Sequence, residues 1–394
     1  MFLKEYQIRV VNELKSFIQV ASEKKKTFDT ASAGLPEEIR DTLNYVDQTF
    51  KTSSLAYNDV SKNGLGNFYP RVVMKVPTGG GKTILAVEAI REYQNLFAER
   101  KTGLIVWIVP KEMIYKQTVD ALRDKSHPYR QLLDQASGGK TIIKEKGQKL
   151  NRQEIEENLV VLFVMIQSIS RANNSEALKV FRDSGGYDSF FPTDNRYDEH
   201  AKWLESTPNL DTMWTNGDQA QLITSLGNAI RVCNPLIIID EIHRVFTPQA
   251  KKTIDNLNPS MVLGLSATPK EGMNIISKVS GLELKDEEMV KLDMHMFPPP
   301  NSTDDDWKGM LKSIIEKRQS LEDEAVVFQG NTGQYIRPIA LLQSERTGKD
   351  QRGKGFVHSE DVREVLVEQG ISPGQIAVKS STTNELENID LLSK

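Results

Sequence analysis

Apolar and polar positions follow one another along this chain in blocks that predict an α/β fold. Short aliphatic runs that predict strands lie at 72–76, 104–109, 159–165, 236–239 and 261–265. Between them, at 83–97 and 112–122, apolar residues recur every three to four positions, which predicts helices. Uninterrupted aliphatic runs are typical of parallel strands that are buried on both faces. We therefore predict a parallel sheet with helices on both faces.

The segments outside this core differ in composition. Residues 1–70 have a mostly helical pattern, interrupted at 22–32 by a polar stretch rich in Ser and Lys that predicts a loop. A second irregular stretch, at about 175–216, predicts an insertion between the third and fourth strands. Its aromatic residues, among them Trp203 and Trp214, allow two interpretations: stacking on nucleic-acid bases, or a small satellite core that ties the insertion down.

Three consecutive prolines at 298–300, followed by a polar and acidic stretch, predict a domain boundary, because prolines interrupt helices and sheets. We assign 71–275 to a first α/β domain, 276–303 to a linker and 304–394 to a second α/β domain. In the second domain the pattern predicts helices at about 307–322 and 359–369, and strands at 325–328, 336–342 and 375–378. The length of this part is short for a complete α/β domain, so we expect an incomplete one.

The bulk composition is that of an ordinary globular protein. Of 394 residues, 38% are hydrophobic and 26% are charged, and the net charge of −4 argues neither for nor against a nucleic-acid partner. The single cysteine, Cys233, excludes an internal disulfide and a cysteine-based zinc site, which fits a cytoplasmic protein. The sequence has neither an apolar stretch long enough to cross a bilayer nor a secretory pattern, so we expect no membrane partner.

A glycine-rich segment directly after the first predicted strand indicates a phosphate-binding loop. Residues 76–83 spell Val-Pro-Thr-Gly-Gly-Gly-Lys-Thr, the short Thr-Gly-x-Gly-Lys-Thr form, with Val76 where the strict pattern has a glycine. Glycine amides and the N-terminus of the following helix suit a triphosphate, and the lysine then reaches its β and γ phosphates. The expected nucleotide ligands are Thr78, Gly79, Gly80, Gly81, Lys82 and Thr83, with Thr83 also holding Mg²⁺. The alternative is a glycine-rich turn between strand and helix.

Two adjacent carboxylates, Asp240 and Glu241, directly follow the aliphatic run at 236–239. In open α/β sheets, ligands bind at the C-terminal ends of the strands. We expect Asp240 to hold Mg²⁺ through water, and Glu241 to orient or deprotonate an attacking water molecule. The alternative interpretation is that Asp240 caps the next helix.

The glycine loop and the Asp240–Glu241 pair, in this order along the chain, resemble motifs of superfamily-two DNA helicases and translocases of the Asp-Glu-x-His type. The resemblance extends over residues 1–270. The resemblance implies a RecA-like ATP-binding domain that uses ATP and Mg²⁺. It implies adenine recognition by Gln7, catalysis by Glu241 and Lys82, and communication between ATP and the DNA-binding motifs by His243. Implied coupling residues are Ser266, Ala267 and Thr268, and implied nucleic-acid contacts are Pro110, Lys111, Gln167 and Ser168.

Each of these further motifs has a plainer interpretation when taken alone. Ser-Ala-Thr-Pro at 266–269 is also an ordinary turn, and Pro110 also starts helices. Gln7 alone suits an exposed polar residue, and His243 alone suits a packed histidine. Their joint order along the chain favours the helicase interpretation.

Within the superfamily, the chain is most similar to the restriction (Res) subunit of type III restriction enzymes. This narrower resemblance rests on the Pro-Thr-Gly-Gly-Gly-Lys-Thr loop, Asp-Glu-Ile-His at 240–243, the Gly-Gly-Tyr-x-x-Phe-Phe insertion at 185–191, and Tyr-Ile-Arg-Pro at 335–338. It implies duplex DNA contacted through its backbone, a methyltransferase/specificity partner subunit and a C-terminal nuclease. We identify no nuclease in this sequence: Glu283-Leu284-Lys285 lacks an upstream Pro-Asp partner and suits a solvated charge run.

The sequence lacks the Gln-x-x-Gly-Arg-x-x-Arg motif with which helicase motors supply arginines to the transferring phosphoryl group. We therefore expect the chain to resemble a C-terminally truncated motor that binds ATP·Mg²⁺ but hydrolyses it weakly, since loss of such an arginine costs about 10³-fold or more. Two alternatives remain: a different superfamily-two motor for DNA repair or RNA, and a non-hydrolysing, ATP-gated DNA-binding module.

Overall fold

The structure is a computed structural model that describes residues 3–40, 42–110, 112–165, 186–214, 219–289, 307–344, 356–380, 383 and 385–386. The chain divides into two compact units, Met1–Leu292 and Asp293–Lys394. Among the described residues, no helix combines the length and the apolar character that crossing a membrane requires.

Seven parallel strands form the central sheet of the first unit, in the order β3-β4-β2-β7-β8-β1-β9. They are β1 (Arg71–Lys75), β2 (Gly103–Val109), β3 (Thr141–Glu145), β4 (Leu159–Met165), β7 (Leu236–Asp240), β8 (Met261–Ser266) and β9 (Ile275–Lys278). A separate antiparallel pair consists of β5 (Thr212–Trp214) and β6 (Ala220–Leu222). The predicted parallel sheet is confirmed.

Helices cover both faces of the sheet, as predicted. In the first unit they are α1 (Glu5–Ser32), α2 (Glu37–Arg40), α3 (Tyr45–Thr52), α4 (Lys82–Leu96), α5 (Glu112–Arg123), α6 (Pro128–Ser137), α7 (Arg152–Glu157), α8 (Tyr197–Ser206), α9 (Leu226–Cys233), α10 (Pro248–Asp255) and α11 (Gly281–Asp286). Alternate strand residues enter two apolar clusters: Ile238 packs on the face of α1 and α4, whereas Ile237 and Ile239 pack on the face of α9 and α10. This double burial explains the uninterrupted aliphatic runs.

The predicted loop at 22–32 is wrong, because α1 continues through these residues to Ser32. Lysine, glutamate and alanine are good helix formers, and Lys25 donates a hydrogen bond to Asp29 one turn later at 2.6 Å. The Phe28 ring packs against Tyr45 of α3, with ring centroids 5.8 Å apart. Local propensity and one aromatic contact therefore outweigh the polar composition.

The sheet is wider than the five predicted strands, because β3 and β9 add an edge on each side. Both are short, and β3 is only partly buried, so neither has the continuous aliphatic run of a central strand. All of α11 and all but the first residue of β9 lie within the segment assigned to a linker, and Leu284 of α11 is fully buried in the core. The ordered part of the first unit thus extends beyond residue 275.

In the second unit the structure describes two long helices, α12 (Trp307–Thr332) and α13 (Ser359–Glu368). The predicted strand at 325–328 is wrong because these residues lie within α12, and 336–342 and 375–378 do not form strands either. A strand needs a neighbour to satisfy its backbone, and the described residues of this unit contain no such partner strand. Leu311, Val365 and Leu366 form a small core there.

The described part of the insertion supports the satellite-core interpretation for Trp203. Phe190 and Phe191 are buried, and the Phe191 ring meets Trp203 edge to face at 6.0 Å. The guanidinium of Arg152 lies over the Trp203 ring, 5.6 Å from its centroid. The side chain of Trp214 lies outside the described residues.

Candidate active site

The glycine loop connects β1 to α4 and owes its path to residues without a side chain. Gly79 and Gly81 have left-handed backbones, with φ of +82° and +74°. A Cβ on Gly80 would lie 2.8 Å from Val76 Cγ1 and 3.4 Å from Leu284 Cδ2. A Cβ on Gly81 would lie 2.5 Å from Gln7 Nε2, so the loop has no room for larger residues. Gly81 also caps α4 without a side chain, which leaves the first helical amides for a ligand.

The sheet topology brings this loop to the two predicted carboxylates. Strand β8 lies between β1 and β7, with Ser266 in register with Lys75 and Leu265 in register with Asp240. The Lys82 Nζ atom donates a hydrogen bond to Glu241 Oε1 at 2.5 Å. Both side chains are largely buried, at 14% and 18% exposure. Residues separated by 159 positions in the sequence thus meet at the carboxyl edge of the sheet.

Asp240, at the end of β7, has a perturbed carboxyl group. Burial raises the pKa of the Asp240 carboxyl to about 6; Lys82 lowers it in part, and the Glu241 carboxylate raises it. A divalent cation beside Asp240 would favour the charged form. Among the described residues, no group of three or more His, Cys, Asp or Glu side chains forms a metal cage by itself. Asp240 offers the carboxylate oxygen that Mg²⁺ takes as a ligand, together with waters and phosphate oxygens.

The side chain of His243 connects Glu241 to the end of β8. Its Nδ1 atom lies 3.2 Å from Glu241 Oε2 and 2.8 Å from Ser266 Oγ. Ser266 Oγ also accepts a hydrogen bond from the backbone N–H of Thr268 at 3.1 Å. A continuous series of polar contacts therefore runs from Lys82 to Thr268. Ala267 is half-buried and has no polar side chain, so it belongs to this series only as the backbone link between Ser266 and Thr268.

Glu241 has a left-handed backbone, with φ +53° and ψ +50°. Such a conformation is uncommon for a long side chain and is strained, so the surroundings must hold it. The Glu241 N–H donates to Asp240 Oδ1 at 3.1 Å, and its carbonyl accepts from the Arg244 N–H at 2.9 Å. A short 3₁₀ helix, Ile242–Val245, follows directly.

Gln7 lies at the glycine loop, but its amide already contacts the protein. Gln7 Oε1 accepts from the Lys4 N–H at 3.0 Å, and Nε2 donates to the Tyr6 hydroxyl at 3.2 Å. Only 2% of Gln7 is exposed, so it is a buried residue and not an exposed polar one. The Tyr6 hydroxyl in turn donates to the carbonyl of Gly80 at 2.9 Å. Sequence reasoning missed Tyr6, since its only signal was adjacency to Gln7.

The remaining predicted residues lie around the same edge or outside the described part. Thr78 and Gly79 are exposed on the loop, and Thr83 is half-buried in the first turn of α4. Pro110 is buried directly after β2. Lys111, Gln167 and Ser168 lie outside the described residues. Because parallel strands share their carboxyl edge, β2 and β4 end on the same side of the sheet as Asp240.

A family model described as type III restriction enzyme, res subunit, matches residues 1–271. The chain belongs to this family. This assignment agrees with the family resemblance that the order of the motifs indicated.

Two solved helicase structures are similar in arrangement at 14% sequence identity. The Pyrococcus furiosus Hef helicase domain aligns over 78% of this chain and 52% of its own, with a TM-score of 0.28. The UvsW helicase from bacteriophage T4 aligns over 66% of this chain and 78% of its own, with a TM-score of 0.27. The chain thus spans about half of the Hef chain. No sequence among the curated proteins matches it significantly.

Proposed function

We propose that this chain is the ATP-binding motor part of a DNA-dependent helicase-translocase, within the restriction subunit of a type III restriction–modification enzyme. The observation that carries the proposal is the contact between Lys82 Nζ and Glu241 Oε1 at 2.5 Å, next to Asp240. The lysine of a phosphate loop and a carboxylate that can accept a proton are thereby in one site, as ATP hydrolysis requires. Membership of the res-subunit family supports the same function.

In this proposal the amides of Gly79 to Lys82 bind the phosphates, and Thr83 and Asp240 hold Mg²⁺. When bound, Mg²⁺ neutralises charge on the phosphate oxygens. Lys82 exchanges its carboxylate partner for phosphate, which releases Glu241 to accept a proton from water. The buried surroundings of Glu241 strengthen each of these electrostatic contacts relative to bulk water.

Communication with DNA is assigned to the series of polar contacts that begins at Glu241. His243 and Ser266 respond to the Glu241 carboxylate, and Thr268 receives the change through its backbone N–H. We assign contacts with the DNA backbone to Pro110, Lys111, Gln167 and Ser168. A methyltransferase/specificity subunit is the proposed partner, an endonuclease the proposed parent enzyme, and the cytoplasm the proposed location, which fits the single free cysteine.

The test is the binding of a fluorescent ATP analogue with Mg²⁺, followed by phosphate release with and without duplex DNA. Binding that Lys82→Ala weakens at least ~10-fold supports the proposal, since a charge-assisted contact contributes about 1.5–3 kcal/mol. Lys116→Ala is the control, because Lys116 is exposed and pairs only within α5. Absence of Mg²⁺-dependent nucleotide binding by the unmodified chain would refute the assignment.

A non-hydrolysing, ATP-gated DNA-binding module is the second candidate. In that case Lys82→Ala removes the response to ATP but leaves DNA affinity unchanged. Rapid, DNA-stimulated turnover by the unmodified chain would eliminate this candidate.

A further inference from the structure

The geometry points to Gly264 as a positioning residue for Glu241, acting through Ile242; this inference rests on the proposed ATPase function. Gly264 lies in β8, in register with Ile239 of β7, the strand that ends at Asp240. Its neighbours in β8 are large aliphatic residues, as expected for a central strand. A glycine within a strand weakens it and often marks a close approach by another part of the chain.

The close approach is made by Ile242, which lies directly after Glu241. A Cβ on Gly264 would lie 2.4 Å from Ile242 Cδ1, 2.7 Å from its Cγ2 and 2.8 Å from its Cβ. Gly264 has no left-handed backbone, so the position requires glycine for space alone. Ile242 therefore occupies the volume that every other residue type at 264 would fill.

The packing of Ile242 against Gly264 holds the strained, left-handed backbone of Glu241 in place. Ile242 is 2% exposed and packs with Ile239 and Val245 in the apolar cluster below β7 and β8. Because the close approach includes Ile242 Cβ, at 2.8 Å, a rotamer change of Ile242 cannot relieve it, and the backbone that Ile242 shares with Glu241 must shift. Ordinary carbon contacts are about 3.5–4.0 Å, so a methyl group at 264 requires a shift on the order of 1 Å. Displacements of that size at a reacting group reduce turnover by about 10²-fold.

None of the atoms closest to the three glycines of the loop belongs to Ile242. Their close neighbours are Val76, Pro77, Gln7, Ile84, Leu284 and Met289. A change at Gly264 therefore reaches the carboxylate of Glu241 without altering the phosphate-binding amides. This separation predicts a loss of hydrolysis with nucleotide binding retained.

The experiment compares nucleotide affinity with single-turnover hydrolysis of radiolabelled ATP, which resolves slow turnover. For Gly264→Ala we expect the Kd for a fluorescent ATP analogue with Mg²⁺ to stay within ~3-fold, and the single-turnover rate to fall at least ~10-fold. Leu263→Ala is the matched control: it removes packing on the other face of the same strand. It should lower the melting temperature but leave the rate within ~3-fold of the unmodified chain.

A second pair of variants tests whether steric contact between residues 242 and 264 causes the effect. Ile242→Ala removes the anchor and should also lower the rate, which provides the test if Gly264→Ala fails to fold. In the double variant the two closest contacts, with Cδ1 and Cγ2 of residue 242, are gone and only the 2.8 Å approach to Cβ remains, so the rate should rise above that of Gly264→Ala alone. A Gly264→Ala rate within ~2-fold of the unmodified rate, or equal losses of affinity and rate, would overturn the inference.

A crystal structure of Gly264→Ala provides a readout that does not depend on turnover. We expect Glu241 to leave the left-handed region and its distance to Lys82 Nζ to exceed salt-bridge length. If Glu241 moves in this way and the unmodified chain does not hydrolyse ATP, the proposed function fails but the positioning role stands. If Glu241 keeps its conformation, the positioning role fails whatever the turnover.

Discussion

The hydroxyl of Tyr6 donates a hydrogen bond to the carbonyl oxygen of Gly80 at 2.9 Å, and it joins the first helix to the glycine loop. Tyr6 is only 3% exposed, so water does not replace this bond readily. A trans peptide points its C=O and N–H in opposite directions. By fixing the Gly80 carbonyl, Tyr6 therefore also fixes the direction of the Gly81 N–H.

We predict that Tyr6→Phe weakens binding of ATP·Mg²⁺ by about 3- to 10-fold, because one buried hydrogen bond contributes about 0.5–1.5 kcal/mol. Titration of a fluorescent ATP analogue measures the effect. Tyr93→Phe is the control, since its hydroxyl bonds Ser260 and does not contact the glycine loop. Equal affinities for Tyr6→Phe and the unmodified chain would show that the loop holds its shape without Tyr6.

We predict that Asp240→Asn stabilises the nucleotide-free protein at pH 7.5 while abolishing Mg²⁺-dependent ATP binding. The Asp240 pKa is raised to about 6, mainly by burial, so between pH ~4 and ~6 the folded protein retains a proton that the unfolded chain has released. Stability from this group is therefore present at low pH and lost as the pH rises through about 6. Because Asn is neutral at every pH, Asp240→Asn avoids this loss and should raise the free energy of unfolding at pH 7.5 by roughly 1–3 kcal/mol.

Melting temperatures at pH 7.5 and pH 4 measure this effect. The gain of Asp240→Asn should be largest at pH 7.5 and vanish near pH 4, where aspartate is protonated in the folded protein. Asp120→Asn, on the exposed side of α5, should change the melting temperature little at either pH. A destabilised Asp240→Asn at pH 7.5 would contradict the electrostatic account.

We predict that His243→Ala uncouples ATP from DNA. The variant loses the only described side-chain contact between Glu241 and Ser266, so ATP analogues should no longer change the Kd for labelled duplex DNA. Fluorescence anisotropy with and without the analogue measures the change. His127→Ala removes an N-cap of α6 and should leave the response intact. An unchanged ATP response in His243→Ala would exclude this route of communication.

We predict that Arg71→Ala destabilises the protein strongly. Arg71 is 4% exposed at the start of β1, where it forms ion pairs with Asp59 and Asp255. Removing one partner of a buried charge network typically costs about 3–5 kcal/mol. Chemical denaturation should show this loss, whereas Lys116→Ala, in an exposed pair, should change stability by less than about 0.5 kcal/mol. A small effect of Arg71→Ala would mean that water already solvates the two carboxylates.

Local sequence patterns were sufficient for the central strands and for placing the glycine loop and Asp240 at the carboxyl ends of two of them, whereas the roles of the site residues remain predictions. Leu236–Asp240 is an example, since its aliphatic residues predict a buried strand and its end carries the carboxylate. The edge strands β3 and β9 were missed because edge strands bury fewer residues. At 325–328 the aliphatic pair Val326 and Val327 suggested a strand, but these residues lie exposed in a helix without any strand to pair with.

The contacts that shape the site escaped sequence reasoning because they join distant residues. Tyr6 reaches Gly80 across 74 positions, and nothing in the alternation of apolar residues reports that contact. Likewise, Gly264 was only one residue of an aliphatic run until the structure placed Ile242 against it. The left-handed backbone of Glu241 gave no signal, since its residue type is not one that favours this conformation.

Val76, Gln7 and Leu284 lie against Gly80 and Gly81 of the glycine loop. Its backbone therefore has little freedom left to lose when a ligand binds. Association with a flexible loop would be opposed by the entropy of ordering it, at about 1–2 kcal/mol for each residue fixed. Packing of Gly80 and Gly81 during folding would remove part of that entropy cost, so we expect the affinity for a triphosphate to depend mainly on direct contacts with its phosphates.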